Sequence, residues 1–399
     1  MAAVAAASAG LPALAGAATA TAGTAKPAAC RAWTGHHPPY AVELTSVAAL
    51  SPCDIWATGI PGVNPTASSP TDVLHWNGSK WTLITSASVP ASLLPGPAIA
   101  ATSSRDAWVV GSVTAQTLTA HSDGTSLTRV PSADPGAPPG FNGLSGVSAL
   151  AGNSAWAAGL YSVFDPSTDT SVTRPLTERW NAGSWTQVPA ALPVTKFGNP
   201  TPYAEFSAVK AVCGCYVWAV GDWGQQTSVN NERIETLIER WNGRSWTQLL
   251  TPNLSGDNWL TAVSADSRSD AWAVGYHGSP AQTVTEHWNG RSWKLVPSPS
   301  PGRLQGKADG LLYGVAAISP DNAWAAGFYA SSPAGKQHAL LLHWNGRTWR
   351  QINVPHYGPS YAPNVLLSVS ASSAGNVIVG GSFSGPVGTG QQALVLRVG

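Results

Sequence analysis

From about residue 40 onward, short runs of alternating apolar and polar residues follow one another, separated by clusters of Gly, Asn, Ser and Pro. Such runs predict short strands half-buried on one face. LTAVSA (Leu260–Ala265), AWAVGY (Ala271–Tyr276), TVTEHW (Thr283–Trp288) and SWKLV (Ser292–Val296) form one consecutive set. Helix signals are nearly absent, because 41 glycines and 32 prolines interrupt every longer apolar stretch.

The set repeats. A W-N-G-x-x-W phrase occurs at His75–Trp81, Arg240–Trp246, His287–Trp293 and His343–Trp349, with a related copy, RWNAGSW, at Arg179–Trp185 and a worn copy at His121–Leu127. Each is preceded by a phrase of the type WAVG, centred on Trp56, Trp108, Trp156, Trp218, Trp272 and Trp324. Nine residues before each of these tryptophans stands Val47, Ile99, Val147, Val209, Val263 or Val315, and Val369 with Ile378 continues the series. A period near fifty residues defines the architecture before any single motif does. The Asn-Gly pairs at Asn77, Asn242, Asn289 and Asn345 suit a tight hairpin between the third and fourth strands. Seven four-stranded antiparallel units around an axis make an all-β, seven-bladed β-propeller.

The chain ends complement each other. The seventh unit stops after ALVLRVG (Ala393–Gly399), its third strand, while CRAWTG (Cys30–Gly35) resembles a fourth-strand phrase. A strand at about 30–35 is therefore expected to complete the last blade and remove an open sheet edge. Residues 30–399 read as one domain. Residues 1–29 are Ala/Gly/Thr-rich, a secretory leader or a disordered segment, with Ala15-Gly16-Ala17 a candidate cleavage site but no basic n-region.

Composition narrows the function. Only 10% of residues are charged and the net charge is +1, which argues against a nucleic-acid surface. No apolar stretch is long enough for a membrane span. Of four cysteines, Cys30 and Cys53 bracket the expected closure, and Cys213-Gly214-Cys215 occupies a turn. Disulfides in an oxidising compartment are expected, with free thiols the alternative.

These phrases resemble the repeats of secreted actinobacterial β-propeller proteins. The hairpin also resembles the Asp-box, nearest at Ser122-Asp123-Gly124, and the whole is distantly similar to kelch and galactose-oxidase propellers. The resemblance implies a fold and is nearly silent on activity, since Asp-boxes are structural.

The repeated residues are accordingly scaffold. Tryptophans of the two phrases are expected between blades. The basic residue or His before each hairpin Trp (His75, His121, Arg179, Arg240, His287, His343, Arg397) is expected to bond Asp54, Asp106, Asp270, Asn322 or Asn376 where these occur. Function belongs to what does not repeat. Loops joining strands two and three, and successive blades, share one face, and the leftover Trp223 and Trp259 are expected in those loops. With Asp222, Asn231, Asn258, Tyr276 and His277 they form the candidate ligand-binding patch, for a carbohydrate or an extracellular protein. No catalytic motif, metal set or cofactor site emerges, and a monomeric binding module follows. The alternative is an extracellular glycan hydrolase or lyase using carboxylates of that face, among them Glu205, Asp222, Asp257 and Asp309.

Overall fold

The computed structural model describes residues 38, 41–61, 72–84, 86, 89, 96–136, 138–151, 153–166, 170–181, 183–194, 203–228, 231–304, 307–331, 336–372, 376–386 and 390–398. All regular structure within them is β. Seven antiparallel blades span residues 41–84, 98–129, 142–187, 204–248, 258–295, 311–352 and 364–398. Six blades are four-stranded meanders and the last is three-stranded among the described residues. A two-stranded ribbon, Gly302–Leu304 with Lys307–Asp309, lies between blades 5 and 6. The segment expected to close the last blade, around Trp33, lies outside the described residues, as does Cys30.

The ring nevertheless closes through its inner strands. In blade 1, Val47 N and Ala49 N donate to Ser368 Oγ (3.1 Å) and Ser370 Oγ (3.0 Å) of blade 7. Ser382 Oγ of blade 7 donates to Glu43 at 2.9 Å. The same serine-to-backbone bond recurs between blades 3 and 4 (Ala211 N to Ser148 Oγ, 3.0 Å) and between blades 5 and 6 (Ala317 N to Ser264 Oγ, 3.0 Å). These bonds satisfy N–H groups on the free inner edge of the first strands.

Between blades the tryptophans form the core. Trp272 lies 4.9 Å from both Trp344 and Trp349 of the next blade, and Trp218 lies 5.1 Å from Trp288 and Trp293. Trp156 with Trp241 and Trp246, and Trp108 with Trp180 and Trp185, repeat the arrangement. Each second-strand Trp thus packs against the hairpin pair of the following blade, which is why the two phrases recur together. Where a pair has worn away, aliphatics replace it: Trp56 packs into a cluster with Leu127.

The glycine of the WAVG phrase has a steric reason. The first strand bulges beside it, as between Leu260 and Ala262, and a Cβ on Gly275 would run into the Trp259 carbonyl oxygen. In the hairpins, Gly78 and Gly290 both sit at φ 87°, a left-handed conformation that disfavours a side chain.

The repeated polar pair is also present. His75 Nε2 lies 2.8 Å from Asp54 Oδ1, His121 Nε2 2.8 Å from Asp106, and His287 Nε2 2.6 Å from Asp270. His343 meets Asn322 at 3.1 Å, and Arg397 donates to Asn376 at 2.6 Å. The imidazoles also stack on the second-strand tryptophans, as His75 does on Trp56 at 4.2 Å.

Candidate functional site

The seven inner strands enclose a central channel of about 400 Å³, lined by small residues such as Ala48, Ala100, Ser148, Ser264, Ala316 and Ser370. Lys210 of blade 4 occupies the corresponding place and is the sole charged residue in that lining. Burial of its amine pulls its pKa below the usual lysine value.

The residues expected to form the ligand patch have separate fates. Trp223 and Trp259 stand within strands, not in loops. The second and third strands of blade 4 run long, to Tyr216–Ser228 and Asn231–Trp241, so Trp223 remains paired with Glu235. Trp223 is 5% exposed and belongs to the buried cluster of blade 4 that includes Ala204, Phe206 and Leu237. The expectation of a displayed Trp223 is corrected on that ground: strand pairing continues through it, and its side chain falls on the side of blade 4 that faces the buried cluster.

Asn258 is 1% exposed and fully engaged. Its Oδ1 accepts from Leu254 N (3.0 Å), and its Nδ2 donates to the carbonyls of Leu254 (2.9 Å) and Gly256 (2.7 Å). Asn142 clamps Gly136 in the same way, and Asn364 clamps Tyr357. The amide is thus a recurrent loop clamp, not a free ligand contact. Asn231 opens its strand, and nothing of its side chain falls within the description. His277 is half-buried, with Nδ1 3.3 Å from the Ser255 carbonyl.

Three other members come together. Trp259 and Tyr276 oppose each other across the first two strands of blade 5 and stack at 5.0 Å, both half-buried. Asp222 of blade 4, 2% exposed, accepts a 2.8 Å hydrogen bond from Tyr203 Oη. Directly across the strand from Asp222 stands Glu205. Burial, then the neighbouring Glu205, push Asp222 up to about 8 against the Tyr203 hydrogen bond. Burial likewise raises Glu205. Tyr276 is pushed up to about 12, first by burial and then by Tyr313, Asp222 and Glu205. Two carboxyls therefore sit near the aromatic pair, with burial and Glu205 biasing Asp222 toward its protonated form.

The aromatic row continues onto blade 6. Tyr313 lies 6.5 Å from Tyr276 and stacks on Phe328 at 5.6 Å. Phe328 borders a pocket of about 220 Å³ shared with Glu43, Ser382, Phe383 and Gln391. Gln391 Nε2 donates to Glu43 at 2.7 Å. Sequence reasoning missed Tyr313, Phe328 and Lys210, yet a signal was present. The residue after the WAVG glycine is Ile60, Ser112, Leu160, Asp222, Tyr276, Phe328 and Ser382 around the ring. A fixed glycine followed by free variation marks the one strand-two position that the scaffold leaves open to change.

Among the described residues no helix is long and apolar enough to cross a membrane, and no cluster of three or more His, Cys, Asp or Glu is placed to hold a metal ion. Cys213 and Cys215 form a disulfide, and Cys53 is disulfide-bonded as well.

Blades, channel and inter-blade tryptophans define a seven-bladed β-propeller. No family model matches the chain, and no curated protein matches it in sequence. Solved structures do. YCF48 from Cyanidioschyzon merolae is 14% identical, with 90% of this chain and 96% of that one covered, at a TM-score of 0.50. A polysaccharide lyase of family PL25, an ulvan lyase bound to -[GlcA(1-4)Rha3S]-, is 10% identical, with 92% and 94% covered, at a TM-score of 0.53. At these identities the likeness concerns the fold.

Proposed function

We propose that this propeller is a secreted, monomeric carbohydrate-binding module whose ligand lies along the face of blades 4–6. The observation that carries the reading is the row Trp259, Tyr276, Tyr313 and Phe328, four half-buried rings beside the acids Asp222 and Glu205. Aromatic faces stack against the C–H faces of sugar rings, and the half-buried Glu205 carboxyl offers hydrogen-bonding oxygens to hydroxyls, with Asp222 buried behind it. A row of rings across two adjacent blades, with the acids of a third beside it, matches an extended oligosaccharide. A carbohydrate is also what the ulvan lyase of like fold carries. Disulfide-bonded cysteines support an oxidising, extracellular compartment.

One observation favours a second reading, a glycan hydrolase or lyase on the same face. Tyr203, Asp222 and Glu205 place a phenol against one acid and a second acid across the strand. An acid raised to about 8 is in the protonated form a general acid needs. Incubating the mature chain on a glycan array, with product analysis of every bound saccharide, tests both. Binding without cleavage supports the module. Cleavage abolished by Asp222→Asn supports the enzyme. A protein-only ligand, with no glycan bound, overturns both.

A further inference from the structure

The turn between the first and second strands of blade 4 differs from its counterparts. It reads Cys213-Gly214-Cys215-Tyr216, whereas Asp54, Asp106 and Asp270 hold the place of Tyr216 in blades 1, 2 and 5. Cys213 and Cys215 are bridged, with Cys215 exposed and Cys213 half-buried. Arg268, from the equivalent turn of blade 5, donates through Nη2 to Cys215 Sγ at 2.9 Å and to Cys213 Sγ at 3.3 Å.

Two further guanidinium groups face this tip. Arg240 lies over the Tyr216 ring at 5.6 Å, on which Arg268 also rests at 5.7 Å. Arg179 Nη2 stands 3.4 Å from the position of a Cβ on Gly214. Tyr216 Oη donates to the Arg268 carbonyl at 3.0 Å and holds the two turns together. Among the described residues none of these arginines pairs with a carboxylate. The acids of the blade 5 turn are occupied elsewhere, Asp270 with His287 at 2.6 Å and Asp266 with Asp270. Tyr216 in place of an Asp therefore removes the one negative charge the repeat would have set beside the sulfurs.

Guanidinium groups beside cysteines favour thiolate over thiol. A stabilised reduced form makes its disulfide a better oxidant, and a stabilised thiolate is a better leaving group. A purely structural bridge needs neither, and a bridge spanning a single residue restrains less chain entropy than one closing a long loop.

We propose that Cys213 and Cys215 form a redox-active pair that passes its disulfide to a dithiol of a partner protein. A partner thiolate attacks the exposed Cys215 Sγ. The disulfide breaks, and its electron pair leaves on Cys213 Sγ as a thiolate beside Arg268. The partner's second thiolate then attacks its own sulfur in the mixed disulfide and displaces Cys215 as a thiolate. The partner loses two electrons and two protons, which the Cys213/Cys215 pair and solvent take up. Arg268 acts as a positioning residue that holds both sulfurs. The site lies on the face opposite the aromatic row and is independent of the glycan reading.

The test equilibrates the folded full chain in glutathione buffers of graded ratio. Differential alkylation and mass spectrometry then read the peptide carrying Cys213 and Cys215, separately from Cys53. The pair should be half-reduced within the glutathione range, and its reduced form should show a thiolate below the ordinary thiol value of about 8.5. Arg268→Gln should shift the equilibrium about tenfold toward the disulfide, about 30 mV for this two-electron couple. It should also raise the thiol pKa, and Arg268→Lys should restore most of both. Unchanged circular-dichroism melts confirm that the variants fold. A pair that stays oxidised in fully reducing glutathione, or an Arg268→Gln equilibrium within twofold of the parent, overturns the proposal.

Discussion

Glu286→Gln should stabilise the protein at neutral pH and remove part of its pH dependence. Glu286 is 0% exposed, and neither carboxyl oxygen completes a hydrogen bond. The nearby Thr236 hydroxyl is engaged with Thr251 and Asn253, so it offsets little of the burial cost that raises Glu286 from 4.5 to about 8. Between those values the folded chain keeps a proton that the unfolded chain has released. Stability is therefore greatest near the lower value and falls as pH rises through the upper one. The slope is about 1.36 kcal/mol per pH unit. Two and a half units, from 4.5 to pH 7, give about 3 kcal/mol at this one side chain. Glutamine keeps the shape and cannot ionise. Urea unfolding followed by tryptophan fluorescence at pH 5, 6, 7 and 8 should show variant and parent converging at pH 5. By pH 7–8 the variant should be ahead by about 2–3 kcal/mol, the remainder going to the altered hydrogen bonding. A difference independent of pH, or a variant weaker at pH 8, would refute the reasoning. Glu178 and Glu239 occupy the equivalent place in blades 3 and 4 and are raised to about 8 too, so the parent should lose stability steeply between pH 5 and 8.

Other expectations concern the scaffold. Trp288→Ala removes a ring that packs against Trp218 and Trp293, and chemical denaturation should show a loss of about 3–5 kcal/mol. Gly275→Ala forces a methyl against the Trp259 carbonyl oxygen and should cost about 1–3 kcal/mol by the same measurement. Deleting residues 30–35 should lower the melting temperature by many degrees if that segment supplies the fourth strand of the last blade; an unchanged melt would dismiss the closing-strand proposal.

The scaffold was legible because its physics repeats. A tryptophan that must meet a hairpin pair fifty residues later leaves a period in the sequence, and so does a glycine forced by a bulge. The His–Asp pairs were legible for the same reason. In blade 4 the pattern breaks, because Tyr216 takes the Asp place and Arg240 stacks on the ring. The site was only half legible. Tyr276, Trp259 and Asp222 do lie near one another, but Trp223 is buried because the strands of blade 4 run long enough to include it and strand alternation then turns its ring inward. Asn258 was misread because its clamp bonds backbone atoms two and four residues away, a contact with no sequence signature beyond an Asn near a loop. Tyr313 and Phe328 went unseen because they pair with each other across two strands of blade 6, and only the closed ring brings Tyr313 against Tyr276 of blade 5. Lys210 is a gap of a simpler kind: aligning the seven inner strands sets it against small residues in all the other blades.

The central claim is that ligand meets the aromatic row of blades 5 and 6 and that Trp223 belongs to the core. Calorimetric titration of an array-selected oligosaccharide into four proteins tests it most directly: the parent, Trp259→Ala, Tyr276→Ala and Trp223→Ala. The first two variants each lose a stack worth about 0.5–1.5 kcal/mol to the fold, and should melt within a few degrees of the parent while weakening binding at least about tenfold, or 1.4 kcal/mol. Trp223→Ala should melt far lower and, where still folded, bind with nearly parental affinity. Parental affinity in Trp259→Ala and Tyr276→Ala, or a stable Trp223→Ala that has lost its ligand, would contradict the account.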